Sequence, residues 1–146
     1  MNIYLPDEEY IKALHDIAIK YFGGRQGVLH RRVLSHVSER PKNYIQYDEC
    51  NLHKICAVIL DTIAQEHPFT DGNKRTALLT TISTYRLNGV SLKLEEFLNG
   101  EFVSLMLWVV EQRPTVDEIA DQLQQIVESY EKVGAEKALE TIRDWF

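Results

Sequence analysis

Leu52, Ile55, Cys56, Ile59 and Ile63 recur at spacings of three and four along LHKICAVILDTIAQE. That period places all five side chains on one face of an α-helix over residues 52–66, because a helix brings positions three and four apart to the same side. A helix with so apolar a face is built to pack against other elements. It delivers the chain directly to HPFTDGNKRTA, residues 67–77, where a histidine, a carboxylate, a glycine, an amide and two cations stand close together with few apolar positions. Buried helix does not read this way, and the stretch has the composition of a site.

The rest of the chain supplies more helices to pack. PDEEY opens a helix over residues 6–22, with acids in its first turn and Ile11, Leu14, Ile17, Ala18 and Tyr21 as its stripe. GGRQG, residues 23–27, ends it; its glycines lack the spacing of a nucleotide-binding loop and suit turn geometry. HRRVLSHVSER predicts a short helix before Pro41, with His30, Arg31 and Arg32 on a solvated face. PKNYIQYDE, residues 41–49, shows no helical period and is read as a loop with some strand character. Beyond the polar loop, Ala77, Leu78, Ile82, Tyr85 and Leu87 resume a helical pattern that stops at Asn88-Gly89. An apolar helix around Phe102 to Val110 places Met106 and Trp108 in the core. Thr115 and Glu118 form a capping box for a helix to about Tyr130, and AEKALETIRDWF is a last amphipathic piece that docks or serves a partner. With no long strand and no repeat, the expectation is one compact all-α domain over residues 1–146, carrying a short extended segment.

Composition narrows the function classes. The net charge of −6 argues against direct nucleic-acid binding, which needs a basic face. Cys50 and Cys56 are too few for a disulfide framework, and Cys56 reads as small apolar filler. No apolar run approaches the ~18 residues of a membrane span, and MNIYLPDEEY lacks the pattern of a signal peptide. The expected compartment is the cytoplasm. There is no Gly-x-Ser-x-Gly elbow, and neither cysteine has a histidine at a recognised spacing.

Within the loop, Gly72 and Asn73 stand just before a helix that begins near Lys74. Unpaired backbone N–H groups and the positive end of the dipole favour an anion there; glycine permits its close approach, and Asn73 is suited to cap the helix. Lys74 and Arg75 oppose that dipole unless something negative sits beside them, which points to a phosphate. Asp71 suits magnesium, which takes one or two carboxylates and completes its shell with water and phosphate oxygens. His67 is of the residue type most often used to take a proton from a hydroxyl near neutral pH. Each feature has a plainer reading: a loop histidine beside proline, an aspartate in a turn, a solvated Lys-Arg pair, and Phe69 as the anchor of the loop. His67 and Asp71 are also a possible pair of transition-metal ligands, with no third ligand evident.

The ordered string HPFTDGNKR resembles the central motif of the Fic/Doc family, His-Pro-Phe-x-Asp/Glu-Gly-Asn-Gly/Lys-Arg, at every defined position. The resemblance extends through the first helix with GGRQG, the RPKNY segment, and TALLTTISTYRLNGVSL after the motif, in the order of Doc-type members. It implies an all-helical domain in which His67 activates a hydroxyl of a target protein, Asp71 holds magnesium, and Phe69 anchors the loop. Gly72, Asn73, Lys74 and Arg75 would surround the phosphates of ATP. Asn43, Tyr44, Ile45, Gln46 and Tyr47 would belong to a flap that aligns the target by strand addition.

Two positions depart from the AMP-transferring members of that family. Lys74 stands where they carry glycine, and Leu78 where they carry a second arginine. Both resemble Doc-type members, in which the nucleotide is reversed and the terminal phosphate is transferred. The implied function is that of a toxin phosphorylating a serine or threonine of a translation protein, elongation factor Tu for Doc itself, with growth arrest as the result and a small separate antitoxin as its inhibitor. The self-inhibiting pattern of the family needs Gly or Asn after Ser/Thr-x-x-x-Glu; Ser35 to Glu39, Thr62 to Glu66 and Ser91 to Glu95 have the spacing without it. The alternatives are an AMP transferase that tolerates Lys74 and a non-catalytic protein that binds nucleotide and acts through a partner.

Overall fold

The first helix, α1 (Glu8–Phe22), begins where the Asp7 carboxylate accepts a hydrogen bond from the Tyr10 N–H, with Glu8 and Glu9 in the first turn favoured by the dipole. The computed structural model describes residues 2–47, 50–92 and 100–144, and among these it contains five further helices and no strand. They are α2 (Arg31–Tyr47), α3 (Leu52–Glu66), α4 (Asn73–Leu87), α5 (Glu101–Gln112) and α6 (Val116–Asp144). The all-α expectation is met.

The apolar helix over 52–66 is the centre of the molecule. Asn51 caps α3 by accepting from the Lys54 N–H, and α3 packs against α2, α4, α5 and α6. Residues 55–60 are buried without a break, so this helix is enclosed on nearly all sides. Its neighbour α4 carries Thr76, Thr80, Thr81 and Thr84 into the same interior. Three of these hydroxyls donate to backbone carbonyls four residues earlier at 2.7–2.8 Å, which lets polar side chains be buried in a helix face. Thr115 and Glu118 make the reciprocal capping bonds expected of them, at 3.0 and 3.2 Å, and begin α6.

Three expectations are corrected. The apolar face of α1 is rotated: Ile11, His15, Ala18 and Ile19 are buried, while Ile17 is 46% and Tyr21 73% exposed. Second, α2 does not stop before Pro41, and Asn43, Tyr44, Ile45, Gln46 and Tyr47 are helical rather than an extended flap. Leu34, Val37, Pro41, Tyr44 and Ile45 fall at helical spacing on the side facing the core, with the first three buried and Tyr44 and Ile45 packed against it. Interior proline disfavours a helix by ~3 kcal/mol, a loss of the same order as the gain from burying one or two large apolar side chains. Arg40 adds a tether, donating to Asp61 and Thr62 of α3 at 3.0 and 2.8 Å. Third, the segment from Ala135 to Asp144 is no separate piece but the continuation of α6. Asp48 and Glu49, the end of the Ser91 to Glu95 spacing, and Trp145-Phe146 lie outside the described residues.

Candidate active site

The polar loop joins the two most tightly packed helices, α3 and α4, and each end is closed by a left-handed residue. His67 ends α3 at φ 51°, ψ 68°, its N–H donating to the Ile63 carbonyl at 3.3 Å. This turns the chain sharply and leaves the imidazole exposed beside the end of the core. Glu66, just before it, is tied to α2 by His36 Nδ1 at 3.2 Å. Gly72 at φ 75° precedes α4, a conformation that suits glycine.

Between these ends the loop is pinned to the core. Phe69 is 1% exposed and its ring lies flat on the His15 ring, with centroids 3.9 Å apart and an interplanar angle of 4°. The Asn73 side chain accepts from the Phe69 N–H at 3.0 Å and donates to the Phe69 carbonyl at 2.9 Å. It therefore clamps the loop instead of capping α4, whose cap position is Gly72. The segment after α1 runs antiparallel to the loop. Val28 bridges Phe69, the Thr70 N–H donates to the Gly27 carbonyl at 3.0 Å, and the Leu29 N–H donates to that of Pro68 at 2.8 Å. GGRQG is thus a wall of the site as well as the end of a helix.

Both carboxylate oxygens of Asp71 are held. Its Oδ2 accepts from the Arg25 N–H at 3.1 Å and its Oδ1 from the Gly72 N–H at 2.9 Å. These two backbone donors, Arg25 first, hold its carboxyl below the usual range; burial opposes them, and the positive charges of Arg25 and Arg75 add lesser support. An ionised carboxylate with each oxygen oriented by one N–H retains lone pairs for a hard cation. A single carboxylate of this kind fits magnesium that takes its other ligands from phosphate and water. Among the described residues no cluster of three His, Cys, Asp or Glu side chains surrounds it, so the donor set does not fit a transition metal held by protein alone.

The carboxylate occupies its place because residue 24 is glycine. A Cβ on Gly24, at φ 118°, would stand 2.7 Å from Asp71 Oδ2 and 3.0 Å from the end of the Ile19 side chain. Gly24→Ala is therefore expected to displace the carboxylate, to lower stability by ~1–3 kcal/mol through backbone strain, and to raise the magnesium needed for activity. Thermal melting and a magnesium titration check this, and wild-type values in both would show that Gly24 does not define the position of Asp71.

Lys74 and Arg75 occupy the first turn of α4, and the two have different surroundings. Arg75 Nη1 donates to the Phe22 carbonyl at the end of α1 at 3.2 Å, and its guanidinium lies 5.0 Å from the Phe22 ring centroid. The C-terminal end of α1 thus offsets part of the dipole mismatch of Arg75. Lys74 is exposed and makes no ion pair with another described residue. Leu78, one turn on, is 6% exposed in the core, so its position offers a ligand no cation.

The loop between α3 and α4 carries His67, Asp71 and Gly72, the first turn of α4 carries Lys74 and Arg75, and Phe69 and Asn73 anchor the loop. Residues 43–47 belong to α2 and do not form an extended edge. Sequence reasoning missed His15, Gly24 and Arg25. A histidine three or four positions from Ile11, Ala18 and Ile19 was the available signal for the first, and a glycine pair flanking an arginine for the others.

Residues 5–83 match the model of a family described as the Fic/DOC family. Over 129 residues the chain is 31% identical to the Protein kinase doc of Escherichia phage P1, an alignment that covers 88% of this chain and 98% of that protein.

Proposed function

The chain belongs to the Fic/Doc family, and from that membership we propose that it is a Doc-like toxin transferring the terminal phosphate of ATP to a serine or threonine hydroxyl of a target protein. The observation that carries this reading is the fixed Asp71 carboxylate just before α4, held by the backbone N–H groups of Arg25 and Gly72, in one loop with an exposed His67. Similarity to a named protein kinase along nearly its whole length supports it.

In this reading the first N–H groups of α4, with Lys74 and Arg75, take the phosphates, and Asp71 holds magnesium. Bound magnesium would neutralise charge on the phosphate oxygens. His67 accepts the proton of the target hydroxyl as its oxygen bonds to the terminal phosphorus; the bond from that phosphorus to the bridging oxygen breaks, and ADP departs with the electron pair. Most of the catalysis is positioning and charge stabilisation, which suits a loop pinned on both sides.

The second reading, AMP transfer, is disfavoured by two side chains. Lys74, an exposed lysine, stands where the AMP-transferring members carry glycine, and buried Leu78 supplies no second arginine. An antitoxin on a separate chain fits the internal contacts. Thr62 and Glu66 are engaged with Arg40 and His36, and Glu39 pairs with Lys42, so these residues already have structural partners. Elongation factor Tu is the proposed target to try first, in the cytoplasm of a bacterial host; among the described residues no helix is long and apolar enough to cross a membrane.

Expression in bacteria is expected to arrest growth, and Asp71→Ala to relieve the arrest while the variant accumulates as folded protein. Arrest by a folded Asp71→Ala chain at the wild-type expression level would contradict the metal-dependent reading.

A further inference from the structure

We infer that His15 is a positioning residue for the reaction: by donating from Nε2 to the Asp71 carbonyl it holds the Asp71–Gly72 peptide, and through it the carboxylate, in the orientation that takes the cation. The inference rests on the proposed role of Asp71.

His15 is 2% exposed on a face of α1 that is otherwise Ile11, Ala18 and Ile19. A polar ring buried there is unfavourable without a partner, and an aliphatic residue would fill the space with no such penalty. The ring makes two contacts with one loop. It stacks flat on Phe69 at 3.9 Å, and Nε2 lies 2.8 Å from the Asp71 carbonyl oxygen. A carbonyl only accepts, so the hydrogen is on Nε2. Nδ1 is 3.9 Å from Asp16 Oδ1, beyond hydrogen-bond range.

The bonded carbonyl belongs to the peptide unit whose other end is the Gly72 N–H. That N–H is one of the two donors that hold the Asp71 carboxylate, at 2.9 Å to Oδ1. Rotation of this one peptide plane would break the His15 bond and withdraw the donor together. Gly72, at φ 75°, lacks the Cβ that resists such a rotation. The restraint therefore comes from His15. Phe69 is held independently by Asn73, and Thr70 by Gly27, so loss of the His15 donor would act on Asp71 and leave the rest of the loop in place.

His15→Phe keeps a flat ring over Phe69 and removes the donor; His15→Gln restores a donor at similar reach. The experiment titrates magnesium in label transfer from ATP to lysate protein and follows amide hydrogen exchange of the same proteins. For folded His15→Phe the expected result is a half-saturating magnesium concentration raised about tenfold, the usual scale for losing an outer-shell partner, with the rate at saturation near wild type. The amides of Arg25 and Gly72 should exchange faster, and His15→Gln should recover both properties in part. Wild-type magnesium dependence and wild-type exchange in folded His15→Phe would overturn the inference. A merely structural role would change melting temperature without changing the magnesium requirement, and would overturn it too. Nitrogen NMR of the wild-type histidines provides an arm that needs no variant: a hydrogen on Nε2 supports the bond, and one on Nδ1 alone refutes it. If the wild-type chain transfers no label, the proposed reaction fails, and amide exchange and nitrogen NMR still decide whether His15 holds the peptide.

Discussion

Replacing His67 with alanine is expected to reduce phosphate transfer by at least ~10²–10⁴-fold, the contribution of a positioned general base, and to abolish growth arrest. The imidazole is exposed at the end of α3, so its removal opens no cavity and the variant should fold. Its backbone at φ 51° is another matter. An L residue in the left-handed region is disfavoured by ~1–2 kcal/mol, and glycine largely escapes that penalty. His67→Gly should therefore be as inactive as His67→Ala and more stable by about 1 kcal/mol, with denaturant midpoints as the measurement. A base placed at a strained turn at the expense of stability would explain that pattern. Substantial activity in a folded alanine variant would remove His67 from the chemistry.

Phe69→Ala is expected to have the largest effect on stability, ~3–5 kcal/mol, from loss of a fully buried aromatic and its stacked contact with His15. A domain of this size is stable by only ~5–15 kcal/mol, so a sizeable part of that margin would be lost. The loop also loses its anchor between His67 and Asp71, and activity should fall below what the folded fraction alone accounts for. Equilibrium unfolding with activity measured on the native fraction separates the two effects. A change under about 1 kcal/mol would mean that Asn73 and the Val28 segment hold the loop without the ring.

The helical architecture was legible because α3 and α4 carry apolar residues at spacings of three and four, α5 is a strongly apolar run, and the capping box of α6 is local chemistry. The motif loop was legible because its residue types follow one another in sequence. What was misread depended on tertiary packing. Pro41 and the lack of a helical period in residues 41–49 suggested an extended segment, and the packing of Tyr44 and Ile45 against the core accompanies the helix through the proline. The face of α1 was misplaced because Ile17 and Tyr21 weighed more than a histidine. That histidine is buried because Asp71, 56 residues away, supplies its acceptor. Arg25 acts through its backbone N–H, a role that side-chain identity does not report.

The most direct test of the proposed reaction uses the purified chain with magnesium, elongation factor Tu or a bacterial lysate, and ATP labelled on either its terminal or its alpha phosphate. Terminal label moving to protein, and lost with His67→Ala, is the predicted result. Alpha label moving instead would contradict it, and would mean that the site accommodates AMP transfer despite Lys74 and a buried Leu78.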